Sequence, residues 1–213
     1  MSGLAEIFKY AEEHSTPELP ILNKIYRETN IRYLNPRMVS GHIQGAMLSM
    51  LSKMVQPTRI LEIGTFTGYS AICLAQGLQS DGKVHTIELK DEIAEVANQY
   101  FIEAGLTEKI MLHIGNAIEV VPAINLTFDL IYIDGEKREY PKYYNSCINY
   151  LNPGGYLIAD NVLWDGKVLN ASAQNETATI AVMKFNDLIK NDSNLENLLI
   201  PIRDGLMIAR KLN

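Results

Sequence analysis

Five short apolar runs, each closed by a turn residue, return along this chain too far apart to be hairpin partners: RILEIG at 59–64, KVHTIE at 83–88, IMLHIG at 110–115, FDLIYID at 128–134 and GYLIAD at 155–160. Each has the length of a strand buried on both faces. Helical stretches fill the intervals: GYSAICLAQGL, DEIAEVANQYFIEAG, NAIEVVPAI and YPKYYNSCINYL. Strand and crossover helix in steady alternation predict a parallel sheet with helices on both faces. After the fifth run the rhythm changes. A helix expected at about 176–190 precedes NLLIPI and GLMIARKL, joined through Arg203, Asp204 and Gly205, and so tight a return predicts a closing antiparallel hairpin.

The flanking segment adds helices but no chemistry. Residues 1–35 read as short helices broken by Pro17, Pro20 and Pro36, laid over something else. From Arg37 to Val55 the apolar residues Met38, Ile43, Met47, Leu48, Leu51, Met54 and Val55 recur at helical spacing and predict a buried face. With 47% hydrophobic residues in 213, the expectation is one domain over 1–213, a helical cover at 1–36 and a ligand-binding core at 37–213. A formal net charge of −6 argues against a surface built throughout to hold a phosphate backbone. Two cysteines, Cys73 and Cys147, suggest neither a disulfide framework nor a zinc cluster. MSGLAEIFKYAEEHS lacks the basic flank and apolar stretch of a secretory signal, and no run of about 20 apolar residues follows. The expectation is a soluble, cytoplasmic protein with no membrane partner.

Ligands of open α/β sheets sit beyond the carboxyl ends of the strands, so the strand ends carry the functional reading. The first run continues as LEIGTFTGYS, where Gly64 and Gly68 bracket a tight turn into a helix and let backbone approach a ligand. The spacing is Gly-x-x-x-Gly, neither the pyrophosphate fingerprint nor a phosphate-binding loop. A ligand without phosphates is favoured. Glu62 puts an acid where a dinucleotide site would avoid one and where a sulfonium or ammonium would be welcome. Glu88 follows at the interval at which an acid commonly receives both ribose hydroxyls.

LEIGTFTGYS together with Glu88 resembles the S-adenosylmethionine site of class I methyltransferases. IDGEKREYPKYY and IADNVLWDGKV resemble the cation-dependent O-methyltransferases of the catechol and caffeoyl-CoA type, from about Met38 to the C-terminus. The resemblance implies a Rossmann-like, mostly parallel seven-stranded sheet closed by a C-terminal antiparallel hairpin. It implies that Ser40, Gly64 and Thr65 contact the methionine end of the donor, that Ser70 binds its carboxylate, that Glu88 binds its ribose and that Ala117 lies by its adenine. Asp134 joins the same set. Glu136 stands where the family often has an aspartate, and Gly135 replaces the usual alanine.

Asp134, Asp160 and Asn161 close the fourth and fifth runs, so a parallel sheet brings them to one edge as three hard oxygen ligands. That set suits Mg²⁺ first, or Ca²⁺ or Mn²⁺, and leaves room for two substrate oxygens. Lys137 resembles the family's general base, and a nearby cation and partial burial are expected to lower its pKa. Trp164 is either a wall facing the acceptor, as the resemblance implies, or a half-buried core residue. Asp165 is either an acceptor contact or a turn. Tyr140, Tyr143 and Tyr144 are expected to pack a helix, and the four histidines receive no role.

The leading expectation is therefore metal-dependent methyl transfer from S-adenosylmethionine to a hydroxyl of a catechol-like vicinal diol such as catechol, caffeate or its thioester. The alternative is a tRNA 5-hydroxyuridine O-methyltransferase, against which the acidic balance and the lack of a Lys/Arg run weigh. A nucleotide-binding module without turnover would not need both the ligand set and Lys137. A homodimer is implied by the resemblance alone.

Overall fold

The computed structural model describes residues 2–34, 36–170 and 175–212. Its sheet is built from β1 (Arg59–Ile63), β2 (Lys83–Glu88), β3 (Ile110–Ile114), β4 (Phe128–Ile133), β5 (Leu151–Asp160), β6 (Leu195–Ile200) and β7 (Leu206–Lys211), in the spatial order β3-β2-β1-β4-β5-β7-β6. The first five pair in parallel, and β7 runs antiparallel to both β5 and β6. The chain moves outward from β1 through β2 to β3, then returns to lay β4 on the other side of β1. That reversal opens a crevice beyond the carboxyl ends of β1 and β4, the ligand position of such sheets.

The helices are α1 (Ser2–Glu13), α2 (Pro20–Arg32), α3 (His42–Val55), α4 (Tyr69–Ala75), α5 (Asp91–Glu103), α6 (Ala117–Ile124), α7 (Tyr140–Cys147) and α8 (Thr177–Asn191). Side chains alternate across a strand, so neighbours such as Ile60 and Leu61 enter different cores. Leu61, Ile63, Ile131 and Ile133 pack with Val121 of α6, Tyr140 of α7 and Phe185 of α8. Ile60, Leu130 and Tyr132 pack with Leu48 of α3, Ile72 of α4 and Phe101 of α5.

Two expectations needed correction. β5 starts at Leu151, four residues before the apolar run, because an irregularity opposite Phe128 and Leu130 lets the Asn-Pro-Gly segment stay in the ladder. The helix expected from Arg37 begins at His42, after a short 3₁₀ turn at Pro36–Met38. Its buried face carries Gln44, Gly45, Leu48, Ser49 and Ser52, while Met38 and Met54 lie in the open. Close approach of helices explains the small residues: a Cβ on Gly45 would stand 2.6 Å from the Tyr69 ring of α4, and one on Gly77 would stand 2.2 Å from the Ser52 backbone. Among the described residues no helix is long and apolar enough to cross a membrane.

Candidate active site

The turn after β1 is held against β2 and β4 by backbone. The Gly64 and Thr65 N–H groups donate to the Ile87 carbonyl at 3.1 and 3.2 Å, and Asp134 N donates to Ile63 O at 2.9 Å. Gly64 has φ +104°, and a Cβ there would lie 2.3 Å from the Asp134 carbonyl oxygen, so only glycine lets β1 and β4 end this close together. Glu88, at the end of β2, accepts from Phe66 N at 2.9 Å and from Lys90 N at 3.1 Å, which fixes its carboxylate over the turn. Ser70 lies nearly buried in the first turn of α4, and Ala117 opens α6 behind the Asn116 cap.

Beneath the turn Glu62 is completely buried. One oxygen accepts from the Thr86 hydroxyl at 2.5 Å, and Thr86 in turn meets Thr65 at 2.6 Å; the other oxygen, Oε1, has no hydrogen-bond partner among the described residues. Burial pushes the Glu62 carboxyl up to about 8, against the pull of the nearby Ser70 hydroxyl and of the Thr86 hydroxyl bonded to it. An orphaned acid oxygen under a glycine turn is the feature a positively charged ligand would satisfy.

Asp134 and Asp160 stand at the ends of paired neighbours, β4 and β5. Burial drives the Asp134 carboxyl up, the Lys137 ammonium pulls it down, and the charge of Asp160 adds to the rise, leaving it at about 6. Lys137 Nζ donates to Asp134 Oδ1 at 2.8 Å and to the Tyr140 hydroxyl at 2.7 Å. Tyr140, fully buried, passes the contact on by donating to the Asp160 carbonyl at 2.9 Å. Asn161 turns through φ +57°; its N–H donates to Asp160 Oδ1 at 2.8 Å, and its side-chain amide has no partner among the described residues.

The expected lowering of the Lys137 pKa counted on a cation beside it as well as on burial; from the protein's own groups the balance runs the other way. Burial lowers its pKa, but the charge of Asp134 and the contacts to Asp134 and Tyr140 outweigh burial, so the net shift is upward. Asp134 and Tyr140 thus favour the ammonium form of Lys137.

Other expected residues make contacts of their own. Glu136 is exposed and spends its carboxylate on Arg138, at 3.0 Å from Nε. Trp164 is half-buried, with Nε1 unpartnered among the described residues and Lys167 Nζ 5.8 Å from the ring centroid. Asp165 is exposed and its N–H donates to Asp204 Oδ1 at 2.5 Å. Ser40 is nearly buried, and its carbonyl accepts from Arg203.

Three residues of this site went unread in the sequence: Gln44, Tyr132 and Arg203. Gln44 Nε2 donates to Asp160 Oδ2 at 2.5 Å and to the Tyr132 hydroxyl at 3.2 Å, while Arg203 donates to Gln44 Oε1. The available signal was a lone glutamine one turn before Leu48 on a helix face otherwise read as apolar.

A Rossmann-like sheet with a glycine turn, a carboxylate fixed over that turn from the end of β2 and paired acids at neighbouring strand ends is the arrangement of a class I methyltransferase. Residues 12–212 match the family model described as O-methyltransferase. The chain is 33% identical over 211 residues to catechol O-methyltransferase domain-containing protein 1 of Mus musculus, covering 97% of this chain and 80% of the relative. It is 29% identical over 219 residues to caffeoyl-CoA O-methyltransferase 1 of Nicotiana tabacum, covering 97% and 92%. The solved structure of the O-methyltransferase TomG from Streptomyces achromogenes, in complex with S-adenosylmethionine, matches with a TM-score of 0.91 at 27% identity, covering 98% of this chain and 96% of that one. The chain belongs to this O-methyltransferase family and is an S-adenosylmethionine-dependent O-methyltransferase.

Proposed function

We propose that the enzyme methylates a hydroxyl of a catechol-like vicinal diol with the help of a divalent cation, Mg²⁺ in the first instance, held by Asp134, Asp160 and Asn161. The observation that carries this reading is the pair of acids at adjacent strand ends, where Asp160 adds to the raised pKa of Asp134. A dication relieves that repulsion, and the free amide of Asn161 supplies a third hard donor. Among the described residues no three His, Cys, Asp or Glu side chains form a metal cluster, so the proposed site has two acids and one amide, and a cation there would need water and the two oxygens of a diol to complete its shell.

S-adenosylmethionine supplies an electrophilic methyl group on sulfur, and its positive charge would draw the proton from Glu62, which then serves as a buried counter-charge. The cation supplies Lewis acidity that favours phenolate over phenol. The remaining work belongs to side chains. Glu88 and the turn at Gly64 orient the donor, Ser40 and Ser70 hold its methionine end, and Trp164 offers the acceptor a flat wall. Lys137 stands beside Asp134 as the proton acceptor, a role open to it once the charge of Asp134 is compensated, its pKa falls and it has released a proton to solvent, leaving a neutral amine. In-line alignment of methyl and oxygen then supplies much of the rate.

The test is transfer from labelled S-adenosylmethionine to catechol, caffeate, caffeoyl-CoA and hydroxyuridine-bearing tRNA, each with and without chelator. Diol methylation abolished by chelator and restored by Mg²⁺ is expected. Full activity after metal removal refutes the cation, and transfer to tRNA alone replaces the acceptor.

A further inference from the structure

Asp160 is gripped from two sides. Its Oδ1 accepts from the Asn161 N–H at 2.8 Å, and its Oδ2 accepts from Gln44 Nε2 at 2.5 Å. A primary amide has a donor end and an acceptor end of nearly equal shape, and only the donor end attracts a carboxylate. Arg203 makes the choice. A guanidinium carries donors alone, and its Nη1 donates both to Gln44 Oε1 and to the Ser40 carbonyl. With Oε1 claimed, Nε2 is left to face Asp160 and the Tyr132 hydroxyl. Gln44 is 3% exposed and bonded at both ends, so turning it over would set Oε1 against Asp160 and Nε2 against Arg203.

Arg203 sits in the turn between β6 and β7, at φ +50°. The same turn holds the segment that follows the acids: Asp204 O accepts from Leu163 N at 2.9 Å, and Gly205 O accepts from Val162 N at 3.1 Å. A Cβ on Gly205 would stand 2.5 Å from Leu163, so the grip is close. The hairpin thus touches the site on both flanks without supplying a ligand.

We infer that Gln44 is the positioning residue for the Asp160 carboxylate, and that Arg203 fixes its orientation, so that the C-terminal hairpin sets how tightly a divalent cation is bound. The inference rests on the cation reading proposed above. Interposing an amide matters chemically. A guanidinium placed directly on Asp160 would compete with a cation for the same charge, whereas an amide aims the carboxylate with a dipole and leaves its charge available.

Mn²⁺ binding followed by electron paramagnetic resonance, with S-adenosylhomocysteine binding measured by calorimetry on the same full-length chain, tests this. Gln44→Met and Arg203→Met should each weaken Mn²⁺ about 10- to 100-fold, the usual cost of losing an outer partner of a metal ligand. Arg203→Lys, which keeps a donor for Oε1, should recover most of the loss. The double variant should bind no more weakly than Gln44→Met, since both changes act through one contact. S-adenosylhomocysteine affinity of Gln44→Met should stay within about twofold, which a disrupted fold would not allow. Unchanged Mn²⁺ affinity in Gln44→Met, or losses that add in the double variant, overturns the inference. If the unaltered protein binds no Mn²⁺, the cation reading falls by itself. The contact is then judged on metal-free protein by a urea double-mutant cycle of Gln44→Met and Asp160→Asn: coupling supports the positioning role, and its absence overturns it.

Discussion

Lys137 spends one ammonium donor on Asp134 and a second on Tyr140, an arrangement that holds the nitrogen in place more firmly than either contact alone. Its motif was legible in IDGEKREY, but its charge state was not, because the sign of the shift depends on whether burial or an adjacent carboxylate dominates. Tyr140 shows the converse. The tyrosines of α7 were expected only to pack, and Tyr140 does pack against Phe185, yet its hydroxyl links Lys137 to the Asp160 carbonyl. An aromatic spacing reports the ring and says nothing of where the oxygen ends up. Lys137→Ala should lower kcat with saturating diol by about 10² to 10⁴, the usual contribution of a positioned base. A turnover equal to that of the parent enzyme would remove Lys137 from the chemistry.

At the scale of elements, the five buried runs announced their strands because each is apolar throughout and stops at a turn residue. The same logic placed Gly64, Glu88, Asp134 and Asp160 at one edge before any coordinates. Helix α3 was less legible: its inward face carries glycine and serine because it lies hard against α4, and a pattern that rewards large apolar residues looks for the opposite. The β1–α4 turn provides a direct test of how closely the elements must approach. Gly64→Ala combines a positive φ with a Cβ 2.3 Å from the Asp134 carbonyl, costs of about 1–3 kcal/mol each. The expected outcome is a loss on the order of 2–6 kcal/mol in urea unfolding, together with weaker donor binding, since relief would come by moving the end of β4 away from β1. Gly166→Ala is the control: its φ is +71°, but a Cβ there meets nothing within 4 Å, so strain without collision should cost only about 1 kcal/mol.

For the whole molecule, the site is assembled by topology. The reversal between β1 and β4 sets acids from distant parts of the chain side by side, and the hairpin folds back to brace them. Sequence reading could find the strand ends but not which loops reach across them, so Arg203 passed for a turn residue. Gathering acids in this way leaves a mark on global stability. Glu62 is raised from 4.5 to about 8 and Asp134 from 3.8 to about 6. A carboxyl raised by burial binds its proton more tightly folded than unfolded, so stability falls as pH climbs from the unfolded to the folded value. His85, lowered by burial from 6.5 to about 4, acts the other way: the unfolded chain holds the extra proton, and stability rises with pH through that lower range. Both Asp134 and His85 have largely finished titrating by pH 7, so between pH 7 and 9 Glu62 shares the decline with the buried thiols of Cys73 and Cys147, which burial raises from 9.0 and which the difference between parent and Glu62→Gln profiles cancels. At about 1.4 kcal/mol per unit, the Glu62 share of that interval is on the order of 1–2 kcal/mol lost. Urea unfolding of the ligand-free enzyme should follow that decline, and Glu62→Gln, which removes the charge and keeps an oxygen for the Thr86 hydroxyl, should flatten it. The same substitution should weaken S-adenosylmethionine binding by removing the buried counter-charge. Parent and variant profiles that run parallel from pH 7 to 9 would mean that Glu62 stays ionised in the ligand-free fold, and that its charge is already compensated without the donor.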